Sequence, residues 1–520
     1  MEKQIYPIGE QNFKSIREEG KIYVDKTQYI PLLMEQKCLF LSRPRRFGKS
    51  LFLSTLENFF LGRRDLFKGL LIYDYKWDWI EYPVIRIDLN GSNYHEDDGL
   101  KNKLSYILGF HENKFGIPAK ENLNISERFL SLISTVSQNC RRQVVVLVDE
   151  YEKPLLDVIG DEKKLKEYRN ILSGFYSVLK SAEEYIKLIF LTGVSRFGHL
   201  NIFSGLNNLI DISLEDEFAS ICGITDKELR ECFVSGITRL AQNQDCDYNQ
   251  AIDKLKYHYD GYHFSGSLLD VYNPFSLFSC LRTSKFSEKW FQTGSSSFLL
   301  NIIRRNRFDL TKLENIRVDE NTLLGLDSEF NDPVTLLYQT GYLTIKHCDK
   351  TSEVYTLGLP NFEVKNALYS AIIPHYLGAN FKNDRVQSLE FIDLLENGEI
   401  KTAMQRLKEY FSSIPYDVKL DYESEFQQVI YSYFAHLGLL SKTELEKKTS
   451  DGRIDMILKL KDYIYIVEFK LGTDAAKALN QINSKDYGLQ WQSGKRKVIK
   501  VGVAFSPKTR GIADFKIDFA

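Results

Sequence analysis

Gly48-Lys49-Ser50 and Asp149-Glu150 are residue types that handle phosphate and a divalent ion. The first triplet closes the run Ser42-Arg43-Pro44-Arg45-Arg46-Phe47-Gly48-Lys49-Ser50, between a short apolar segment and a helical pattern. In that setting the loop and helix N–H groups face an anion. Lys49 reaches β- and γ-phosphates, and the Ser50 hydroxyl ligates Mg²⁺. Arg45 and Arg46 add positive charge beside them, to this site or to a neighbouring subunit's nucleotide. The first glycine of the usual GxxxxGK[ST] pattern is missing, because Arg43 stands in its place. A helix start beside a basic turn is therefore a competing reading. The second element is an apolar run, 144–148, that ends in Asp149-Glu150. Two carboxylates at the mouth of such a strand are costly unless solvated, paired or metal-bound. In a phosphate-transfer site Asp149 holds Mg²⁺ through water and Glu150 polarises the attacking water. In the plain alternative Asp149 caps a helix. A third run, 188–191, enters Thr192-Gly193-Val194-Ser195-Arg196. Thr192 is placed to sense a γ-phosphate, with Arg196 near it, and a surface turn accounts for both equally well.

A different chemistry is spaced along 454–470. Residues 454–460 and 463–470 read as two strands joined by Lys461-Asp462. With that pair as a two-residue turn, Leu460 opposes Tyr463, and counting outward sets Asp455 opposite Glu468. Directly opposed residues share a face, with Cβ atoms roughly 5 Å apart, and opposed like charges destabilise a hairpin. A divalent cation between them removes that penalty. Asp455, Glu468, the Phe469 carbonyl and water are the oxygen set that suits Mg²⁺. Lys470 returns to the face of Glu468 and can orient or deprotonate an attacking water. The competing reading is a surface hairpin with alternating charges.

These residues need elements to hold them. Strand-like runs at 38–42, 84–89, 144–148 and 188–191 alternate with helical patterns such as 51–61 and 126–140. That order predicts a parallel sheet covered on both faces, here a P-loop ATPase domain over 1–214. From 215 to 410 the pattern is mostly helical, a lid and connecting region. After a boundary near Ile414-Pro415-Tyr416, residues 411–520 read as a helix (423–437), the hairpin, a helix (474–485) and a strand (498–504). The fold class expected is α/β throughout. A length of 520 residues implies two or three such domains. The net charge of -2 argues against a protein that coats nucleic acid, so any such contact must be a local patch such as Lys495-Arg496-Lys497 with Lys500. Seven scattered cysteines imply free thiols rather than disulfides or zinc. No apolar run is long enough for a membrane span, and no signal segment opens the chain, so a cytoplasmic protein is expected.

The sequence as a whole resembles a known family. Tyr23-Val24-Asp25-Lys26-Thr27, the Arg43–Ser50 loop, Tyr259-Asp260-Gly261-Tyr262 and Tyr272-Asn273-Pro274-Phe275-Ser276 look like the AAA-ATPase-like proteins common in bacteria. In that family the loop reads RPRRFGKS, so the resemblance makes Arg43 a normal form. Gly452-Arg453-Ile454-Asp455 with Glu468-Phe469-Lys470 resembles the PD-(D/E)XK nucleases, restriction-endonuclease-like domains that such proteins carry at the C-terminus. That resemblance points to Glu423, with Glu425 as rival, as a further acid of the metal site. It also points to Gln481 and Tyr487 as lining residues. It implies ATP and Mg²⁺ as cofactors, nucleic acid, DNA first, as partner, and a homo-oligomer as one arrangement. The function expected is ATP binding and hydrolysis coupled to phosphodiester cleavage. The rival is a nucleotide-dependent switch or scaffold whose nuclease-fold domain is catalytically silent. Packed turns are the expected role of the Asp25–Thr27 and Tyr259–Tyr262 stretches.

Overall fold

Val144–Asp149 reads VVVLVD, and all six residues are buried. A β-branched run that is apolar on both faces belongs in the middle of a parallel sheet. The computed structural model describes residues 4–519 other than 121, 197–201, 204, 207, 288–302, 304–305, 307, 326–331, 378–384, 413, 415–419, 450–451, 486, 489–490 and 492–493. Its first sheet consists of β1 (Cys38–Ser42), β2 (Val84–Asp88), β3 (Val144–Asp149), β4 (Ile186–Gly193) and β5 (Ile210–Asp211). The order is β2-β3-β4-β1-β5, with every pairing parallel. All parallel strands end on one edge, so the loop after β1 and the acids after β3 are brought to the same edge.

Helices cover both faces. Ile189 and Leu191 of β4 join the core built by α2 (Gly99–Lys114), α3 (Ile125–Cys140) and α4 (Glu162–Ser181). In that core Phe129 stacks on Phe175 at 4.4 Å. Phe190, between Ile189 and Leu191, points the other way and meets Phe52 of α1 (Lys49–Phe60). Alternation along β4 therefore divides the two layers.

The chain divides into two compact units, Met1–Thr293 with Asn315–Asn361, and Gly294–Glu314 with Phe362–Ala520. The stretch read as one helical region over 215–410 is thus shared between them. It is mostly helical, including α5 (Tyr248–Tyr259) and α6 (Pro274–Thr283). It also holds an antiparallel sheet that the sequence reading missed: β6 (Ile316–Asp319), β7 (Thr344–Asp349) and β8 (Val354–Gly358), ordered β6-β8-β7. These strands are short and only partly apolar, so their periodicity is weak. Of the boundary read at 414–416, positions 415 and 416 lie outside the described residues.

The second unit carries a mixed sheet, β9 (Thr443–Thr449), β10 (Gly452–Lys459), β11 (Tyr463–Leu471), β12 (Lys497–Ser506) and β13 (Gly511–Phe519). Its order is β13-β12-β11-β10-β9. β10 and β11 form a hairpin, and β11 and β12 are parallel across the helix α8 (Ala475–Ser484), which follows α7 (Glu423–His436) in the chain. The edge strands β9 and β13 were not expected; β9 (TELEKKT) is rich in charge, and β13 (GIADFKIDF) alternates apolar residues with Asp514, Lys516 and Asp518, a pattern the sequence reading missed. All seven cysteines are free. Among the described residues no helix is long and apolar enough to cross a membrane.

The Asp25-Lys26-Thr27 stretch is a packed turn. Asp25 accepts hydrogen bonds from the Thr27 N–H (2.8 Å) and hydroxyl (2.7 Å) and from the Leu71 N–H (2.7 Å). Lys26 meets both carboxylate oxygens of Glu228 at 2.6 and 2.8 Å. Losing one partner of a buried pair strands the other charge. Lys26→Ala is expected to lower unfolding stability by about 3 kcal/mol. A change under about 0.5 kcal/mol in chemical denaturation would show that the pair contributes little.

Candidate active sites

Gly48 adopts φ +101°, in the left-handed region where a glycine fits without strain, and it turns the chain into α1. The first N–H groups of α1 therefore face out of the loop. They border a cavity of about 440 Å³, lined on this side by Arg45, Arg46, Gly48, Lys49, Ser50 and Leu51. Pro7, Gly9, Glu10 and Gln11 form a second wall, and Pro274, Phe275 and Phe278 of α6 a third. Arg46 lies over the Phe275 ring at 4.7 Å, a cation–π contact. Lys49 is buried, with its ammonium on the loop carbonyls of Arg43 (2.8 Å) and Pro44 (3.1 Å). Burial pushes its pKa down, against the opposing pull of Glu150 and Asp149.

The missing glycine has a structural explanation. Arg43 is 1% exposed, and its side chain leaves the loop for the interior. It donates to the carbonyls of Ser42 and Ser213 (both 2.8 Å) and Phe218 (2.9 Å), and lies over the Phe264 ring at 4.4 Å. Phe47 packs edge-on against Tyr262 and Phe264 at 4.8 and 5.2 Å. The Tyr259–Tyr262 stretch thus backs the phosphate loop, and the Tyr272–Ser276 stretch caps α6 through Asn273 and brings Phe275 to the cavity. Both motifs hold the cavity together from elsewhere in the chain.

The acids divide. Glu150 lines the cavity, as does Asp88 at the end of β2. Asp149 does not. It is buried, accepts the Thr192 hydroxyl at 2.9 Å and stands 3.6 Å from the Arg86 guanidinium. Thr192, read as a γ-phosphate sensor, is fully buried on Asp149 instead. Arg196, expected near the nucleotide, is also away from the cavity; Asp211 holds it with two bonds of 2.6 and 3.1 Å. A satisfied bidentate pair leaves that guanidinium little reason to turn. Glu152 was overlooked. Its carboxylate accepts the Val194 (2.5 Å) and Ser195 (2.9 Å) N–H groups and fixes the exit of β4. Burial raises its pKa to about 7.

In the second unit the hairpin register is Met456↔Val467 and Ile457↔Ile466, the one expected from a Lys461-Asp462 turn. Extending it sets Asp455 beside Glu468. Both are buried, 6% and 1% exposed. Asp455 Oδ2 accepts the Phe469 N–H at 2.8 Å. Glu468 Oε1 takes the Gln481 amide and the Lys470 ammonium (3.1 Å), while its Oε2 has no hydrogen-bond partner among the described residues. Lys470 also donates to the Phe469 carbonyl at 2.9 Å. Asp455, Glu468, the Phe469 carbonyl and Lys470 are therefore one cluster, with Gln481 on it. Burial, reinforced by Glu423, raises Asp455 to about 6, although the Phe469 N–H and Lys470 pull it down. Burial and then the Asp455 charge raise Glu468 to about 7. Burial works against the Lys470 ammonium, but Glu468 beside it outweighs this and raises its pKa.

Glu423 comes close without joining the pair as a ligand. Its carboxylate accepts the Leu471 N–H at 2.8 Å, tying α7 to the end of β11. Glu425, the rival, caps its own helix by accepting the Asp421 and Tyr422 N–H groups. Among the described residues no group of three His, Cys, Asp or Glu side chains is gathered as a metal would need. The set that fits an ion is thus two carboxylates and one carbonyl, all hard oxygens, with an orphaned Glu468 oxygen among them. Tyr487 donates to the Arg453 carbonyl at 3.1 Å, bracing β10. Lys495, Arg496 and Lys497 are exposed as read, but Lys500 is buried and donates to Asn483 at 2.9 Å.

Residues 7–203 match the family model described as predicted AAA-ATPase, and residues 421–515 that of the PD-(D/E)XK nuclease superfamily. The chain is similar to a protein of Azotobacter chroococcum mcd 1 described as an uncharacterized protein in the vnfD 5'region. The two are 35% identical over 530 residues, covering 100% of this chain and 99% of that protein. Among solved structures, the Aeropyrum pernix ORC2 protein in ADPNP–ADP complexes is 10% identical, covers 71% of this chain and 94% of its own, and overlays with a TM-score of 0.27. The Aeropyrum pernix ORC1 protein in complex with DNA is 10% identical, covers 66% and 91%, and gives 0.24. At these TM-scores neither likeness carries functional weight.

Proposed function

Because the chain belongs to the predicted AAA-ATPase family that carries a C-terminal PD-(D/E)XK nuclease superfamily domain, we propose that it binds ATP at the Gly48–Ser50 loop and cleaves nucleic-acid phosphodiesters, DNA first, at Asp455 and Glu468. One observation carries the nuclease half: two buried carboxylates on adjacent strands, one oxygen left unpartnered, with an ammonium on the same cluster. Burying like charges side by side is costly unless a counter-ion joins them. Mg²⁺, when bound, would supply that charge and lower the pKa of a bound water, so that it can give up a proton and attack phosphorus as hydroxide. Asp455, Glu468 and the Phe469 carbonyl would hold it. The raised pKa of Lys470 favours its charged form, which suits stabilising the phosphate rather than serving as base. Gln481 keeps Glu468 aimed into the cluster.

At the other site the loop N–H groups, Lys49 and Ser50 would take the phosphates, and Glu150, on the cavity wall, would polarise an attacking water. Pro7, Phe275 and Phe278 supply the apolar end of the cavity, where a purine can stack. Phe275→Ala is expected to weaken ATP binding about tenfold by calorimetry. ATP binding unchanged in that variant would move the base elsewhere. The engagement of Asp149 by Thr192 and Arg86 favours a second reading, in which ATP is held but turned over slowly. A single assay separates the readings: purified full chain with labelled DNA or RNA and Mg²⁺, with and without ATP, following cleavage and phosphate release together. Absence of cleavage on both nucleic acids would remove the nuclease proposal and leave the switch.

A further inference from the structure

At Gly452 (φ +148°) an added Cβ would lie 2.6 Å from the Tyr487 hydroxyl and 2.7 Å from the Lys485 ammonium. The turn that ends α8 therefore lies directly against the start of β10, and only glycine permits that approach. Lys485 is the C-cap residue of α8, one turn beyond Gln481. Residues four apart share a helix face. Gln481 reaches Glu468, and the Lys485 ammonium reaches Gly452 and stands 5.7 Å from the Tyr487 ring centre.

Arg453 follows Gly452 and precedes Asp455 by two, so it shares the Asp455 face of β10. Its positive charge is felt at Asp455. The Glu446 carboxylate, on the neighbouring strand β9, holds the Arg453 Nε. Glu446 is set there by strand pairing: Arg453↔Lys448 and Ile454↔Lys447 place it opposite Asp455. Its side chain is 11% exposed, whereas that of Arg453 is 53% exposed. One edge of the guanidinium is thus anchored on a largely buried acid, while the side chain remains open to solvent. The guanidinium supplies the counter-charge that the largely buried Glu446 needs, and its exposed side leaves donors facing solvent for a ligand. Lys470 and Arg453 set two cations beside the two buried carboxylates, and the Lys485 ammonium lies further along, at the Gly452 end of β10. A single phosphate at the carboxylates would leave Arg453 and Lys485 unused, whereas a chain of phosphates extends past that point.

Resting on the nuclease reading above, we propose that Arg453 and Lys485 bind nucleic-acid backbone phosphates flanking the one at Asp455 and Glu468, and that Glu446 is the positioning residue for the Arg453 guanidinium. The chemistry recognised is the phosphodiester backbone, shared by DNA and RNA.

The experiment is fluorescence anisotropy of the full chain on a labelled 25-base-pair DNA duplex and on single-stranded RNA, with Ca²⁺ replacing Mg²⁺, across a salt series. Arg453→Ala and Lys485→Ala are each expected to weaken duplex binding about tenfold and to reduce the salt slope by about 0.9, the signature of one lost phosphate contact. Arg453→Lys should keep the slope yet bind more weakly, since lysine lacks both the Nε–H that Glu446 holds and the guanidinium fork that a phosphate can take. Glu446→Gln should weaken binding with the slope intact. Thermal unfolding of each variant separates these effects from loss of fold. Tight binding by the native chain with affinity and slope untouched in both alanine variants overturns this assignment alone. Failure of the native chain to bind either oligonucleotide overturns the nuclease reading and this assignment with it.

Discussion

Asp455→Ala is expected to lower Mg²⁺-dependent cleavage on the order of 10³-fold or more, with the fold intact. The size follows from what the residue holds. Its carboxylate is one of two at the cluster and also fixes the Phe469 N–H, so its loss removes an ion ligand and loosens the strand that carries the carbonyl. The pH dependence is distinctive. Asp455 is raised to about 6 and Glu468 to about 7, so the ion-free pair keeps a proton close to neutrality. Ion binding must displace that proton, and affinity for Mg²⁺ or Mn²⁺ therefore rises with pH and levels off above about 7. Stability of the ion-free chain runs the other way. A carboxyl whose folded pKa is raised contributes stability that is fully present below the ordinary carboxylate range and lost as pH rises through the folded value. Glu468→Gln should accordingly stabilise the ion-free protein at pH 8, by on the order of 1–3 kcal/mol, while it destroys cleavage. Thermal unfolding with and without Mn²⁺ reads both effects. If cleavage persists in Asp455→Ala, the activity is a contaminant's or its site lies elsewhere.

Lys49→Ala is expected to reduce ATP affinity at least about 100-fold by calorimetry. Its ammonium is buried on two neutral carbonyls, and burial already depresses its pKa. A phosphate tail entering the cavity would give it a full counter-charge in a place where water screens little. The same desolvation means that deleting the ammonium need not harm the fold, because its removal relieves a buried charge. Unchanged ATP binding in this variant would mean that the phosphate loop has been misassigned.

Both clusters were legible to different depths. The hairpin could be counted from Lys461-Asp462 because side-chain alternation and a short turn leave one register. The cluster of Asp455, Glu468, the Phe469 carbonyl and Lys470 follows from that count alone. Gln481 and Tyr487 came only from resemblance, since a helix face carries no register with a strand. At the phosphate loop, Gly48-Lys49-Ser50 and Glu150 were visible as local strings. Asp149, Thr192 and Arg196 were equally visible, and there the string misled. A residue at a strand end can face the cavity or its neighbouring strand, and Thr192 and Asp149 satisfy each other across the β3–β4 ladder. Arg196 is turned aside by Asp211, a partner on a strand too short to be read.

The walls of the nucleotide cavity were the least legible part. Pro7–Gln11 and Phe275 are separated from the loop by long stretches of chain, and aromatic residues in helices are ordinary core residues until packing says otherwise. Arg43 shows the same limit, since nothing in its neighbours announces that Ser213 and Phe218 will hold it.

By itself the sequence determined the parallel sheet, the loop-to-helix turn at Gly48 and the facing of Asp455 with Glu468. Each depends on periodicity or turn geometry within a few residues. Tertiary structure alone decided which strand-end groups face the cavity, what walls it, and that Glu446 meets Arg453. Those outcomes depend on long-range packing, where a charged or polar side chain takes whichever buried partner the fold brings within reach.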